Sequence, residues 1–324
     1  MLFSVIIPLY NKENTIAEAV NSVLNQDCSD WELIVVNDGS TDGGPAKLKT
    51  FKDPRIKLIN QENGGVSSAR NKGMAEARGE YVCFLDADDY YLPNHLSSLK
   101  DLIQAVPEAG LYANGYRIIE KDTTQRDVCV KKSGIINDYF ELELNNRADY
   151  LNTNSVCIPK SVFDVIGCFI PGEMSGEDTS LWLRAAGYSP VALSENITSV
   201  YRRDYSDAFV GLALNPNWSF ISIAQSKLIN NESIPEQKRV NIAKYINRYK
   251  LSLCRHFLLT GERSRAREHY AEVNWAWSGK RAKFITDICF LLPPVVLRSV
   301  YHRKYHGSFR AESNGKQAGE KNER

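Results

Sequence analysis

Apolar residues follow two alternating patterns over the first hundred positions of the chain. "FSVIIP" (3–8) is a continuous apolar run closed by proline, the pattern of a strand buried on both faces. Beyond it, Ile16, Val20, Val23 and Leu24 fall on one face of a helix. "WELIVVND" (31–38) and "RIKLIN" (55–60) predict further strands. Between them "STDGGPAKLKTF" opens a helix, with Ser40 or Thr41 as the expected N-cap. "GVSSARNKGMAEAR" (65–78) predicts a helix stopped by Gly79, "EYVCFLD" (80–86) a strand, and 94–105, after Pro93, another helix. An alternating β-α order of this kind makes an α/β fold with a parallel sheet covered on both faces.

From about 110 to 200 the pattern is less regular, with short strands ("LYANGYRII", "NSVCIP", "PVAL") and a helix over 178–187. After about 215 it turns helical, in "SFISIAQSKLI", "RVNIAKYINRYKLSLCRHFLL" and "RSRAREHYAEVNWAW". The last twenty residues are polar and glycine-containing and are predicted disordered; no internal repeat is visible.

At 324 residues, with 43% hydrophobic and 24% charged positions, the chain has the composition of a soluble globular protein of one or two domains. "MLFSVIIPLYN" lacks a basic leader and a cleavage site, so no signal peptide is expected. "FITDICFLLPPVVL" (284–297) is too short to span a bilayer and contains Asp287, Pro293 and Pro294. Seven cysteines without a C-x-x-C pair argue against a disulfide framework or a zinc site, and a cytoplasmic location is expected. The net charge of +1 hides an asymmetry. Residues 1–235 carry 21 Lys+Arg against 31 Asp+Glu (net −10), and residues 236–324 carry 19 against 8 (net +11). A basic C-terminal region calls for an anionic partner.

Ligands in open α/β sheets sit at the carboxyl ends of the strands, and two carboxylates, Asp38 and Asp86, are expected there. Asp86-Ala87-Asp88-Asp89 crowds like charges against a buried strand. It fits either an acidic turn or a hard divalent cation shared with phosphate oxygens, and the spacing is not that of an EF-hand. "NDGSTDG" (37–43) holds turn residues, but Asp38, at a strand end, can accept a hydrogen bond from a base or a ribose. "NGGVSSARNKG" (63–73) brings two glycines, a helix N-terminus and Arg70, all suited to an anion. "PGEMSGEDTSLWLRAAG" (171–187) has the form of a capping box over Ser175–Asp178, and equally offers a carboxylate as a base.

Taken together, "SVIIPLYNKENTIAEAVNSVLNQ", "WELIVVNDGSTDG", "NGGVSSARNKGMAEARGEYVCFLDADDYYLP" and "GEDTSLWLRAAG" resemble the family 2 glycosyltransferases, inverting enzymes of the Rossmann-like GT-A fold. The resemblance covers about the first two hundred residues. It implies a catalytic domain over 1–215, with a nucleotide-sugar half (1–105) and an acceptor half (106–215), then a helical basic region (216–307) and a disordered tail (308–324). By the same resemblance, Asp86-Ala87-Asp88 is the D-x-D motif, Asp88 and Asp86 attending Mn²⁺ or Mg²⁺ on a nucleotide diphosphate. Pro8, Tyr10, Asn11 and Glu13 form the nucleotide segment, with the aromatic against a base, usually uracil. Asp38 would bond that base, Arg70 would lie near base and phosphates, Asp178 would be the catalytic base, and Glu177 would hold donor or acceptor sugar.

The implied activity is transfer of a single sugar from a UDP-sugar to a saccharide acceptor, lipid-linked in cell-surface polysaccharide synthesis. One departure stands out. Many metal-dependent relatives carry a histidine after the base segment, whereas "SVYRRDYSD" (199–207) has none, which leaves Arg202 or Arg203 to meet the diphosphate. The Q-x-x-R-W signature of processive synthases is absent too. A nucleotidyltransferase would need a Gly-rich, Arg-containing loop after the first strand, and a dehydrogenase G-x-G-x-x-G; "LYNKEN" supplies neither. A non-catalytic module of the same fold is the remaining alternative. Residues 275–310 mix aromatics, a short apolar run and cations, and read either as packed helices with a solvated basic face or as a peripheral contact with an anionic membrane surface. No nucleic-acid motif accompanies the charge.

Overall fold

A computed structural model describes residues 1–120, 124–173, 176–203 and 219–299. The predicted N-terminal strands form as β1 (Phe3–Leu9), β2 (Trp31–Asp38), β3 (Ile56–Gln61) and β4 (Tyr81–Phe84). They lie parallel in the order β3-β2-β1-β4, so their carboxyl ends share one edge. The intervening helices are α1 (Ile16–Leu24), α2 (Gly44–Leu48) and α3 (Val66–Glu76). Helix α2 starts later than its N-cap signal implies. Gly43 occupies the cap, and Ser40 and Thr41 turn instead to Asn11 across the strand ends.

After a short β5 (Tyr90–Tyr91) comes α4 (His95–Ala105), as predicted from Pro93. Ile16, Val20 and Val23 of α1 and Leu96 and Leu99 of α4 join alternate residues of β1 and β2 in one core cluster. The second half of the sheet contains β6 (Leu111–Glu120), β7 (Thr124–Val128), β8 (Gly134–Ile136), β9 (Val156–Pro159) and β10 (Val191–Arg203). Helices α5 (Tyr139–Asn146), α6 (Phe163–Ile166) and α7 (Glu177–Tyr188) interrupt it. β9 inserts antiparallel between β4 and β6, while β6 and β10 pair parallel. The parallel sheet of the first half thus becomes mixed in the second, and the stretch just before β9 lands beside the end of β4.

The chain divides into two compact units, residues 1–243 and 244–324. The expected boundary at 215 and the tail 308–324 lie outside the described residues. The helical pattern after 215 is borne out by α8 (Ser219–Ile223), which continues as a π-helical turn over Ala224–Ile229, and by α9 (Glu236–Thr260). Within the second unit, α10 (Arg263–Glu272), α11 (Trp275–Ser278) and α12 (Lys280–Leu291) follow. There Phe257 stacks on His269 with ring centroids 5.3 Å apart, and Asn247 binds Asn274 and Ser278.

Helix α3 lies close on β1 because Gly73 carries no side chain. A Cβ at that position would stand 2.5 Å from Cγ2 of the fully buried Ile6. Gly73→Ala is therefore expected to lose about 1–3 kcal/mol through overpacking, more than the helix propensity it gains. The measurement is urea unfolding, with a lowered midpoint and an unchanged m-value.

Candidate active site

Asp86, Asp88 and Asp89 follow β4, and each has its own means of neutralisation. The Asp86 amide donates to Asn154 Oδ1 at 2.8 Å, and its carboxylate accepts Arg70 Nη2 at 2.7 Å. Arg70 sits in the first turns of α3, 3% exposed, with its guanidinium over the Phe169 ring at 5.2 Å. Its Nη1 donates to Glu177 Oε1 at 3.0 Å. One buried cation thus joins the D-x-D segment to the start of α7. Burial works against the Arg70 charge, yet Asp86 and Glu177 overcompensate and hold its pKa above the ordinary arginine range. Burial likewise raises the Asp86 carboxyl, with Arg70 opposing it and Asp88 reinforcing it. Glu177 is raised by burial and then by neighbouring Asp178, again against Arg70.

Asp89 is 2% exposed and serves as a strut, accepting Asn154 Nδ2 at 2.5 Å and the Arg202 amide at 2.7 Å. Burial holds its carboxyl well above the usual range. Asp88 is the accessible member, 39% exposed, with Oδ2 2.6 Å from Lys12 Nζ. No group of three or more His, Cys, Asp or Glu among the described residues is placed to hold a metal ion. A divalent cation would therefore rest on Asp88, beside Asp86, and complete its shell with solvent and phosphate oxygens, as Mg²⁺ and Mn²⁺ do. The residues fit such an ion: the donors are hard oxygens, and a cation, the Lys12 ammonium, already sits against Asp88.

The neighbouring strand ends carry two cross-tied loops. Asp38, 2% exposed at the end of β2, accepts Gln61 Nε2 at 2.7 Å, the Gly64 amide at 2.8 Å and the Gly65 amide at 2.9 Å. It thereby pins the glycine loop that opens α3, and Gly65 there takes φ +84°. Pro8 lies within β1. Asn11 takes φ +51° and accepts the Thr41 amide at 2.8 Å, and Glu13 accepts the Gly43 amide at 2.7 Å. Tyr10, just before Asn11, is 48% exposed, so its ring is open to a ligand.

Asp178 lies in the first turn of α7, where Gly176 at φ +78° forms the cap. Ser175, with which the expected capping box begins, lies outside the described residues, and the Glu177 side chain is held by Arg70. Asp178 accepts the Thr179 amide at 2.6 Å and Thr153 Oγ1 at 3.3 Å. Nearby Glu173 is buried, which pushes its carboxyl up to about 7 against the pull of Arg184. Asn71 holds the Phe169 backbone at both amide and carbonyl, at 3.0 and 2.8 Å, which fixes Phe169 beside Arg70.

The structure thus brings together Arg70, Asp86, Ala87, Asp88, Glu177 and Asp178, with Asp38, Tyr10, Asn11 and Glu13 on the adjoining loops. The Arg202 guanidinium makes a two-point bridge to Glu18 at 2.7 Å for each contact, lies over the Tyr90 ring at 4.7 Å, and reaches the Asp88 carbonyl with Nη1 at 3.5 Å. Arg203 comes within 4.0 Å of Glu120, and residues 204–207 lie outside the described residues. Sequence pattern did not single out Lys12, Thr153, Asn154 or Glu173. Thr153 and Asn154 belong to a polar run that only the insertion of β9 carries to β4.

Residues 4–166 match the family model for glycosyl transferase family 2. An uncharacterised glycosyltransferase of Rickettsia conorii is 32% identical over 199 residues, 60% of this chain and 33% of that protein. The Escherichia coli UDP-Glc:alpha-D-GlcNAc-diphosphoundecaprenol beta-1,3-glucosyltransferase WfgD is 37% identical over 123 residues, 38% of this chain and 48% of WfgD. The matched stretches thus span between a third and a half of these relatives' lengths. Among solved structures, S. aureus TarS 1-349 in complex with UDP-GlcNAc has a TM-score of 0.65 at 20% identity, covering 95% of this chain and 92% of that one. The Pyrobaculum calidifontis mannosyltransferase PcManGT, in complex with GDP-Man and Mn²⁺, has a TM-score of 0.57 at 17% identity, covering 92% and 86%. At such identities the likeness is one of fold. With the family model spanning half of the sequence and these neighbours sharing the architecture over nearly all of it, the chain belongs to glycosyl transferase family 2 and has the GT-A fold.

Proposed function

We propose that the chain is an inverting glycosyltransferase that moves one sugar from a UDP-sugar to a hydroxyl of a lipid-linked saccharide in cell-surface polysaccharide synthesis. The observation that carries this is the Arg70 bridge, which ties the D-x-D strand end to the start of α7 and so sets Asp178 and Asp88 on one site. In this reading, Tyr10 offers its exposed ring to the base, and the glycine loop held by Asp38 presents the N-terminus of α3 to the diphosphate. Asp178, steadied by Thr153 and the Thr179 amide, takes the proton of the acceptor hydroxyl as that oxygen attacks the anomeric carbon. Attack from the side opposite the departing diphosphate inverts the configuration. Glu177, held by Arg70, keeps a fixed acceptor for sugar hydroxyls. Mn²⁺ or Mg²⁺ at Asp88, with Asp86 beside it, would supply Lewis-acid stabilisation of the leaving group's charge. Much of the rate then comes from alignment of donor, acceptor and base.

WfgD, named for transfer onto a diphosphoundecaprenol-linked sugar, supports a lipid-linked acceptor. So does the surface of the second unit. Eleven large apolar residues are exposed among the described residues, and seven of them lie between Trp277 and Val296, led by Leu291 at 80% and Val295 at 71%. Lys280, Arg281 and Arg298 are exposed along the same stretch. No helix among the described residues is long and apolar enough to cross a membrane. We place this stretch in the headgroup layer of an anionic membrane, on the cytoplasmic face where nucleotide-sugars are made.

The central test is UDP release from a panel of UDP-sugars with Mn²⁺ and a lipid-linked acceptor, which separates transfer from a module that only binds. Asp178→Asn is expected to lower transfer by at least about 10²-fold while UDP binding persists; unimpaired transfer would overturn the base assignment. Asp88→Ala should instead weaken Mn²⁺-dependent UDP binding itself. For the membrane contact, co-sedimentation with phosphatidylglycerol vesicles should exceed that with phosphatidylcholine. Leu291→Asp should reduce it, and equal pelleting of this variant would remove the proposal.

A further inference from the structure

Of the three acids after β4, Asp88 pairs with a lysine, Lys12, which comes from a different strand end. The Lys12 backbone is firmly placed. Its carbonyl accepts the Thr15 and Ile16 amides at 3.2 and 3.0 Å, at the head of α1. On either side, the Asn11 amide donates to Ser40 Oγ at 3.2 Å and the Glu13 amide to Asp42 Oδ2 at 2.8 Å. From this anchored turn the side chain spans β1 to β4 and sets Nζ 2.6 Å from Asp88 Oδ2, with the two side chains 41% and 39% exposed. The ammonium therefore stands on the carboxylate to which the proposed function assigns a divalent cation.

We propose that Lys12 is the resident cation of the donor-free site, competing with a divalent ion for Asp88 and yielding it only when a nucleotide diphosphate enters. The inference rests on the proposed function. A dication and an ammonium repel one another across one carboxylate, whose single negative charge cannot balance both. A diphosphate brings enough negative charge for both, so the two cations cease to exclude each other once it is present, and Lys12 can turn from Asp88 to phosphate oxygens. Asp86 offers the dication no escape, because its charge is already answered by Arg70 at 2.7 Å. Lys12 thereby delays metal binding until the donor arrives, which makes ion and nucleotide bind together.

The test is Mn²⁺ binding to the whole chain without nucleotide, read from the electron paramagnetic resonance signal of free Mn²⁺. Lys12→Met is expected to tighten it about three- to tenfold, the range that loss of a half-exposed ion pair and of the cation repulsion allows. Adding Asp88→Ala should abolish that gain. Lys12→Gln serves as a second variant, and both should unfold in urea at the wild-type midpoint, since the pair is on the surface. Calorimetric UDP binding in Mn²⁺ is measured alongside, and Lys12→Met should weaken it. If the wild type binds UDP with Mn²⁺ while Lys12→Met and Lys12→Gln show unchanged, weaker or no nucleotide-free Mn²⁺ binding, the competition is refuted and the site assignment stands. If the wild type binds no UDP, the site assignment itself falls.

Discussion

A buried arginine, 3% exposed, holds this site together. Arg70 meets Asp86 at the end of β4 and Glu177 at the start of α7, two positions far apart in the chain, and both contacts are 3.0 Å or shorter. Removing one partner from such a buried arrangement costs about 3–5 kcal/mol, because the charges left behind have no water to replace it. The need to satisfy Arg70 from two sides therefore limits where α7 can begin relative to the sheet. Phe169 covers the guanidinium and is itself held at both backbone groups by Asn71 on the same helix, so the cation, its lid and its acids are linked parts.

The crowding of acids after β4 follows from the same logic. Three carboxylates within four residues repel one another, and each escapes by a different route. Asp86 takes an arginine, Asp89 withdraws into the interior against an amide side chain and a backbone amide, and Asp88 stays at the surface with a lysine. Exposure follows the same order: Asp88 is the most open at 39%, Asp86 stands at 28% against the buried Arg70, and Asp89 is buried at 2%.

Much of the fold was legible in the sequence. Largely apolar runs within 3–8 and 31–38 identify doubly covered strands, and the helical spacing of Ile16, Val20 and Val23 survives as the core-facing side of α1. The motifs at positions 8–13, 38, 70, 86–88 and 177–178 were also visible, because each sits at a strand end or a helix start where turn chemistry is distinctive. Local caps were less well foretold. Ser40 and Thr41 looked like helix caps, but their hydroxyl and amide groups were claimed by Asn11 across the strand ends. At α7, Gly176 in the left-handed conformation occupies the cap, and Glu177 beside it is held by Arg70.

By itself the sequence determined which segments are strands and helices, which faces are apolar, and that acidic residues gather at the carboxyl ends of a parallel sheet, since periodicity and turn propensity are local properties. Only the tertiary structure decided the partner of each charge. The antiparallel insertion of β9 carries Asn154 to Asp86 and Asp89, and the adjacency of β1 and β4 brings Lys12 to Asp88, although 76 positions separate that pair. Pairing at such separations depends on strand order and on burial, and neither leaves a periodic trace in the chain.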